Sequence, residues 1–416
     1  MAIRNTFGLL EERGYIYQLT HEKEIQEAIN GEQITFYLGI DPTADSLHIG
    51  HFFALMMFRY LQDAGHKGIL VIGGATALIG DPSGKSDMRQ LLTKEEVQHN
   101  LEEVKTLAKR FVKTEGDNPA IILNNADWIN PHSYVDFMRD IGIHFNVNTM
   151  LATETYANRI KEGGLTFLEM GYMLMQSYDF VYLNRKYGCK LQIGGSDQWG
   201  NIVAGMDLGR KKSLEEEKEK DVLYGVTCPL LMTKEGKKMG KTESGTLWVA
   251  REKTTVFDFY QYFYNVNDKD TEMLLRLFTH VPTQEIIDLC KSDILKAKKK
   301  MAFEITKLVH GDVEANKVLE AVNSLFGESL NMDNVPKHVI KKELLQEGIN
   351  ILELLTITKF ISSKSESRRM VQQGGISVNN EKIKEINHVV NLNDIKDSCI
   401  LLKRGKKNFL KVTLAK

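Results

Sequence analysis

Residues 34–74 read "ITFYLGIDPTADSLHIGHFFALMMFRYLQDAGHKGILVIGG". Two short apolar runs, "ITFYLGI" (34–40) and "GILVIGG" (68–74), flank "HFFALMMFRYLQDAG" (51–65). The apolar residues of the middle segment recur at helical spacing and stop at Gly65. The pattern continues outward. "AIILNN" (120–125) is a third strand, reached through a helix over 93–112 that opens on a capping box, Thr93-x-x-Glu96. "CKLQIGG" (189–195) is another, followed by a helix from about Ser196. Continuously apolar strands alternating with helices predict an α/β fold, a doubly wound parallel sheet with both faces covered.

The chain has 416 residues, enough for two or three domains and a large core. A hydrophobic content of 42% and a charged content of 26% place it among ordinary globular proteins. The net charge of −1 hides an asymmetry: residues 351–416 hold 13 Lys and Arg against six Asp and Glu, while the preceding body carries −8. A basic tail on an acidic body suggests a polyanionic partner. Cys189, Cys228, Cys290 and Cys399 form no CxxC pair, which speaks against a zinc site or a disulfide framework and for a reducing compartment. The N-terminus has no secretory pattern, and no apolar run approaches the ~20 residues of a membrane helix. A cytoplasmic location is expected.

The expected order is an α/β domain over 1–222, a linker carrying a lysine-rich loop over 223–248, and a helical domain over 249–330. A second linker over 331–349 and a small α+β domain over 350–416 complete it. "KKSLEEEKEKD" (211–221) reads as a solvated helix end or loop.

Four stretches carry chemistry. "GDPSGKS" (80–86) is one residue short of a P-loop, since only three residues separate Gly80 from Gly84. A loop with Asp81, Gly84, Lys85 and, just beyond the stretch, Arg89 still lies past the carboxyl end of a strand, where doubly wound sheets bind ligands. "HIGH" (48–51) opens a helix, whose free N–H groups suit anions; by itself it reads equally well as one surface and one helix-start histidine. "KKMGKTESG" (237–245) puts Lys238 and Lys241 around Gly240, able to meet a polyphosphate or merely to be solvated. In "EMGYMLMQSYDF" (169–180), Tyr172, Gln176 and Asp179 fall on one face of an otherwise apolar helix. They hold either a ligand or other buried polar groups.

Taken together and in order, "YLGIDPTADSLHIGH" (37–51), "GGATALIGDPSGK" (73–85), "YMLMQSYDF" (172–180), "QIGGSDQWGN" (192–201) and "KMGKT" (238–242) resemble bacterial-type tyrosyl-tRNA synthetases, a family of class I aminoacyl-tRNA synthetases. The resemblance covers nearly the whole chain. It departs at KMGKT, where the class usually has KMSKS, and at Leu38, where relatives often have cysteine. The fold implied is a Rossmann-like doubly wound catalytic domain, a helical domain, and a small α+β RNA-binding domain like that of ribosomal protein S-four. The activity implied is attack of the tyrosine carboxylate on the α-phosphate of ATP, then transfer of tyrosine to tRNA(Tyr).

The resemblance also implies roles. Tyr37 and Asp179 would bind the phenol hydroxyl of tyrosine; Tyr172, Gln176 and Asp81 would bind its ammonium. Thr43 and His48 would hold the γ-phosphate, and Lys85, Arg89, Lys238, Lys241 and Thr242 the departing pyrophosphate. Gly50 and His51 would lie by the adenosine, and Gly39, Gly195 and Asp197 by the ribose. Asp41, Thr76 and Gln198 would line the space between. Mg²⁺ would accompany ATP without a dedicated protein site, and the chain would be a homodimer. At the C-terminus, "ISSKSESRRMVQQGGISVNNEKI" (361–383) reads as a helix capped by Ser363-x-x-Glu366, ended by Gly374 and Gly375, then a strand, a turn at Asn379-Asn380 and a strand. Arg368, Arg369 and Gln372 on that helix would meet RNA. Tryptophanyl enzymes share the expected fold, but the Tyr37/Asp179 pair and the basic C-terminus favour the tyrosyl reading. A non-catalytic RNA-binding derivative is opposed by the intact motifs.

Overall fold

The computed structural model describes residues 5–83, 91–216, 222–236, 239–242, 245–326, 335–379, 381–396, 399–405 and 408–414, with the backbone alone at 241–242 and 323–326. The chain divides into two compact units, 1–254 with 266–309, and 255–265 with 310–416.

The first unit is built on six strands: β1 (Gln18–Leu19), β2 (Thr35–Ile40), β3 (Lys67–Ile72), β4 (Ile121–Asn124), β5 (Cys189–Gly195) and β6 (Tyr224–Cys228). Their order is β1-β6-β5-β2-β3-β4, parallel throughout except where β1 runs antiparallel along β6. The sheet grows one way from β2 through β3 and β4, and the other way through β5 and β6. β2 and β5 therefore flank a topological switch point, and the crevice at their carboxyl ends is where such sheets bind ligands. β3 is buried at every position after Lys67, as a strand covered on both faces must be.

Helices of this unit include α1 (Thr6–Arg13), α2 (Ile49–Asp63), α3 (Lys94–Ala108), α4 (Phe167–Tyr187), α5 (Trp199–Glu215) and α6 (Asp268–Phe278), of which α2 and α4 line the crevice. α3 opens on the expected reciprocal box of Thr93 and Glu96. α4 has a second box, Thr166 with Glu169, and ends at Gly188 in the left-handed conformation. Glu169 also takes Arg159 in a buried ion pair of 3.0 Å, fixing the start of α4.

In the second unit, β7 (Lys337–Ile340), β8 (Ile376–Val378), β9 (Glu381–Ile383), β10 (Ile400–Arg404) and β11 (Asn408–Leu414) form a sheet in the order β9-β8-β10-β11-β7. Helices α7 (Ile351–Ile357) and α8 (Lys364–Gln372) contribute Leu354, Leu355 and Val371 to its core. The predicted cap of α8 is half formed. Ser363 accepts the Glu366 N–H, but the Glu366 carboxylate takes the Ser362 hydroxyl instead of reaching back. Gly374 and Asn379 adopt positive φ at the helix stop and the turn; Asn380 lies outside the described residues.

Several segment expectations need correction. Within 223–248, read as a linker, Tyr224–Cys228 is a strand of the main sheet. Within 331–349, Lys337–Ile340 pairs with β11, and Ile340, Leu345 and Ile349 are core residues. In both stretches, turn residues beside the apolar run concealed a buried element. The helices of 249–330 form no unit of their own: α6 belongs to the first, whereas Val256–Tyr264 and Asp312–Phe326 belong to the second. In the charge run, Lys211 and Lys212 close the last turn of α5. Lys212 is buried against Asp140 (2.6 Å) and Glu215 rather than solvated; residues 217–221 lie outside the described set.

Candidate active site

A cavity of about 510 Å³ opens at the carboxyl ends of β2 and β5. Of the residues singled out from sequence, Tyr37, Gly39, Asp41, Thr43, His48, Gly50, His51, Thr76, Asp81, Tyr172, Gln176, Asp179, Gly195, Asp197 and Gln198 all line it, drawn from four of the five quoted stretches. Lys85, Arg89 and Lys238 lie outside the described residues, and only the backbone of Lys241 and Thr242 is described, as a two-residue strand. Arg368, Arg369 and Gln372 are exposed on α8 of the second unit.

α4 brings Tyr172, Gln176 and Asp179 to the cavity from one face, all buried. Asp179 accepts the Trp128 indole N–H at 2.7 Å through Oδ1 and the Asn125 amide at 3.1 Å through Oδ2. Burial pushes its carboxyl up to about 7; the two hydrogen bonds oppose the shift and the Asp41 charge adds to it. Tyr37, on β2, is likewise buried and packs edge-on against Phe180, with ring centroids 5.3 Å apart. Burial first, and the Asp179 charge second, hold its phenol well above the ordinary tyrosine range, so it stays protonated and able to donate. Its hydroxyl finds no hydrogen-bond partner among the described residues, and neither does Oε1 of Gln176 or of Gln192. A buried polar atom left unpaired costs about 1–3 kcal/mol, so three in one cavity mark a surface built for a polar guest.

Asn125 is a hub. Its amide N–H groups reach both Asp179 and Thr76 Oγ1 (3.0 Å), while its Oδ1 accepts the Ala75 N–H (2.8 Å). Thr76 in turn donates to Asp41 at 2.7 Å, and Tyr172 donates to the other Asp41 oxygen at 2.9 Å. One relay thus runs from Asp179 to Tyr172 along the cavity wall. Opposite, Gln198 donates to Asp81 at 2.6 Å, and Asp81 also accepts the Ser83 N–H. Asp41 and Asp81 give this end a negative character suited to an ammonium.

The histidines of HIGH cap α2. His48 Nδ1 accepts the N–H groups of Gly50 (3.1 Å) and His51 (3.4 Å), while His51 Nδ1 accepts the His48 N–H. The rings stack with centroids 3.7 Å apart. An acceptor Nδ1 leaves the proton of a neutral imidazole on Nε2, so each histidine carries a donor there. The KMGKT segment meets this helix start. Gly240 has φ +87°, and a Cβ built on it would lie 2.3 Å from Ile49 Cγ2. Beyond it, Leu247 N–H bonds Gly240 O (2.7 Å), Val249 N–H bonds Leu47 O (2.8 Å), and Trp248 forms an isolated antiparallel bridge with His48.

Sequence reasoning missed Asn125, Trp128, Gln192 and Trp248. Asn125 lies at the carboxyl end of β4, a position that the ligand-crevice rule could have flagged. Gln192 alternates inward on β5 beside Tyr37. Trp128 and Trp248 leave no periodic signal.

The family model for class I tRNA synthetases of tryptophan and tyrosine matches residues 29–327, and that of the tyrosine--tRNA ligase SYY-like C-terminal domain matches 329–412. A tyrosine--tRNA ligase of Clostridium botulinum (strain Eklund 17B) is 49% identical over 413 residues, covering 99% of both chains. That of Clostridium perfringens (strain 13) is 48% identical over 414 residues, 99% of this chain and all of the relative. Among solved structures, the C-terminally truncated mitochondrial tyrosyl-tRNA synthetase of Aspergillus nidulans aligns with a TM-score of 0.69 at 29% identity, over 78% of this chain and 95% of that one. The chain belongs to the class I tRNA synthetases and, within them, to the tyrosine--tRNA ligases.

Proposed function

We propose that the chain activates L-tyrosine with ATP and transfers it to the 3′ end of tRNA(Tyr). The observation that carries the reading is the pair of Asp179, braced by Asn125 and Trp128, and Tyr37, whose buried hydroxyl has no partner among the described residues. A phenol entering this end can accept from Tyr37 and donate to Asp179. At the other end, Gln176, Tyr172, Asp81 and Asp41 receive the ammonium. Phenylalanine would leave the buried Tyr37 hydroxyl unpaired and bring Asp179 no donor beyond Asn125 and Trp128. The resulting rejection, about 10⁴–10⁵, is a magnitude known for enzymes of this very family rather than deduced from this pocket.

The tyrosine carboxylate is already a nucleophile, so the protein needs only to align it with the α-phosphate and stabilise charge. The oxygen–phosphorus bond forms as the bond to pyrophosphate breaks. His48, through its Nε2 donor, and Thr43 bind the γ-phosphate; His51 and Gly50 border the adenosine; Asp197, Gly195 and Gly39 border the ribose; Thr76 and Gln198 line the junction. Lys85, Arg89, Lys238 and Lys241 neutralise the departing pyrophosphate, and the Thr242 hydroxyl donates a hydrogen bond to it. Mg²⁺ accompanies ATP on phosphate oxygens and water. The tRNA ribose hydroxyl then displaces AMP from the adenylate, while Arg368, Arg369 and Gln372 contact RNA phosphates.

The chain is read as a homodimer. Tyr134, Val135, Ile143, Val147, Phe167 and Leu168 are exposed within one stretch of the first unit, an apolar burden that a second copy would cover. The reaction is assigned to the cytoplasm; no helix among the described residues is long and apolar enough to cross a membrane. ATP–pyrophosphate exchange tests the activation step and its amino-acid specificity. Exchange with tyrosine alone is expected. Exchange with tryptophan overturns the specificity, and none with tyrosine, phenylalanine or tryptophan overturns the activity.

A further inference from the structure

The loop that leads into KMGKT is tied down from outside the cavity. Met239 N–H bonds Leu231 O (2.9 Å) and Gly236 N–H bonds Thr233 O (2.9 Å), closing the described residues 231–236 and 239–240 on themselves. The Lys234 N–H donates to Asp270 Oδ1 at 2.7 Å, and the Glu235 carboxylate accepts the Asn267 amide at 3.3 Å. Asp270 stands in the first turn of α6 and is 2% exposed. An acidic residue at this position commonly reaches back to cap its own helix; this one reaches out to the loop.

α6 is anchored in turn. At its far end the Arg13 guanidinium donates to the carbonyls of Arg276 (2.9 Å), Thr279 (2.6 Å) and Val281 (2.7 Å). Tyr15 donates to Leu277 O, and Tyr60 of α2 donates to Thr279 O at 3.0 Å. Phe278 packs on Phe52 and Phe53 of α2, with centroids 4.9 and 5.9 Å apart. α6 is thus a strut fixed to α2, the helix that His48 and His51 begin, and it holds the lysine loop at its other end.

We propose that Asp270 is a positioning residue for the adenylation step: by fixing Lys234, it sets the KMGKT segment against the phosphates of ATP. The inference rests on the activity proposed above. A burial this complete makes a carboxylate costly unless it is hydrogen-bonded, so the Lys234 N–H is the contact that justifies its presence. Displacing a charge-stabilising group by about 1 Å costs on the order of 10²-fold in rate.

The test measures single-turnover adenylate formation and tyrosine affinity, per titrated active site, for wild type, Asp270→Ala and Asp270→Asn. The Ala variant is expected to lose about ten- to a hundredfold in rate at saturating ATP, with tyrosine affinity unchanged within about twofold. The Asn variant keeps an acceptor and recovers most of the rate. A rate unchanged in the Ala variant, or tyrosine affinity lost in proportion to rate, overturns the proposal. Hydrogen exchange over residues 231–240 tests the anchor without the reaction: protection lost in Asp270→Ala supports it, and protection retained refutes it. A wild-type chain inert with tyrosine would refute the proposed activity, while hydrogen exchange would still decide the anchor.

Discussion

Asp179 is a carboxyl group whose surroundings oppose its charge. Its pKa of about 7 in the folded chain exceeds the ordinary carboxylate value of about 3.9. Between those values the folded chain holds a proton that the unfolded chain has released. Stability therefore falls as pH rises from about 4 to about 7 and levels off above. Urea unfolding of wild type and Asp179→Asn at pH 5 and pH 8 checks this: the wild type should lose ground to the variant at the higher pH, and a constant difference would refute it. Tyr37→Phe removes a buried hydroxyl that has no partner among the described residues. The variant should be as stable as wild type or firmer by about 1 kcal/mol without ligand, yet bind tyrosine more weakly. Melting with and without tyrosine separates the two effects. Asn125→Ala should weaken tyrosine binding although the residue is not among the expected ligand contacts, because it cuts Asp179 from Thr76.

At the scale of elements, α2 and the segment around Gly240 that packs on its start explain each other. His48 is both the cap of α2 and a candidate phosphate donor, so His48→Ala mixes two losses, and a missing cap alone costs about 1 kcal/mol. His48→Asn keeps an N-cap residue. It should restore the melting temperature but not the rate of adenylate formation; recovery of both would reduce His48 to a cap. Gly240 occupies a backbone region that costs other residues roughly 1–2 kcal/mol, and its missing Cβ makes room for Ile49. Gly240→Ala should displace the loop from α2 and slow adenylate formation while leaving tyrosine affinity intact. Equal rates would show that this contact is dispensable.

At the scale of the whole molecule, the two family matches meet between residues 327 and 329, and the basic excess lies beyond. A chain ending at residue 328 should form tyrosyl-adenylate at the wild-type rate but charge tRNA poorly. Undiminished charging would refute the RNA-binding role of the C-terminal portion. The helices between residues 249 and 330 carry a lesson about domain boundaries. The stretch reads in sequence as one helical domain, yet α6 and Val256–Tyr264 belong to different units. Helical spacing tells which face is buried and nothing about which neighbour buries it.

What the sequence determined by itself follows from local physics. Apolar runs and glycine stops gave β2, β3 and α2; Thr93 with Glu96 gave the start of α3; helical spacing put Tyr172, Gln176 and Asp179 on one face. Most of the cavity lining was legible because its residues cluster at strand ends and helix starts, where a parallel sheet must bind its ligand. Only the tertiary structure decided what those residues touch. Trp128 and Asn125 reach Asp179 from a different element, Gly240 meets Ile49, and Arg13, Tyr15 and Tyr60 hold the far end of the helix whose Asp270 grips Lys234. Such contacts join segments far apart in the chain, and no period, cap or turn announces them. They form because buried polar groups must find partners wherever folding brings one within reach.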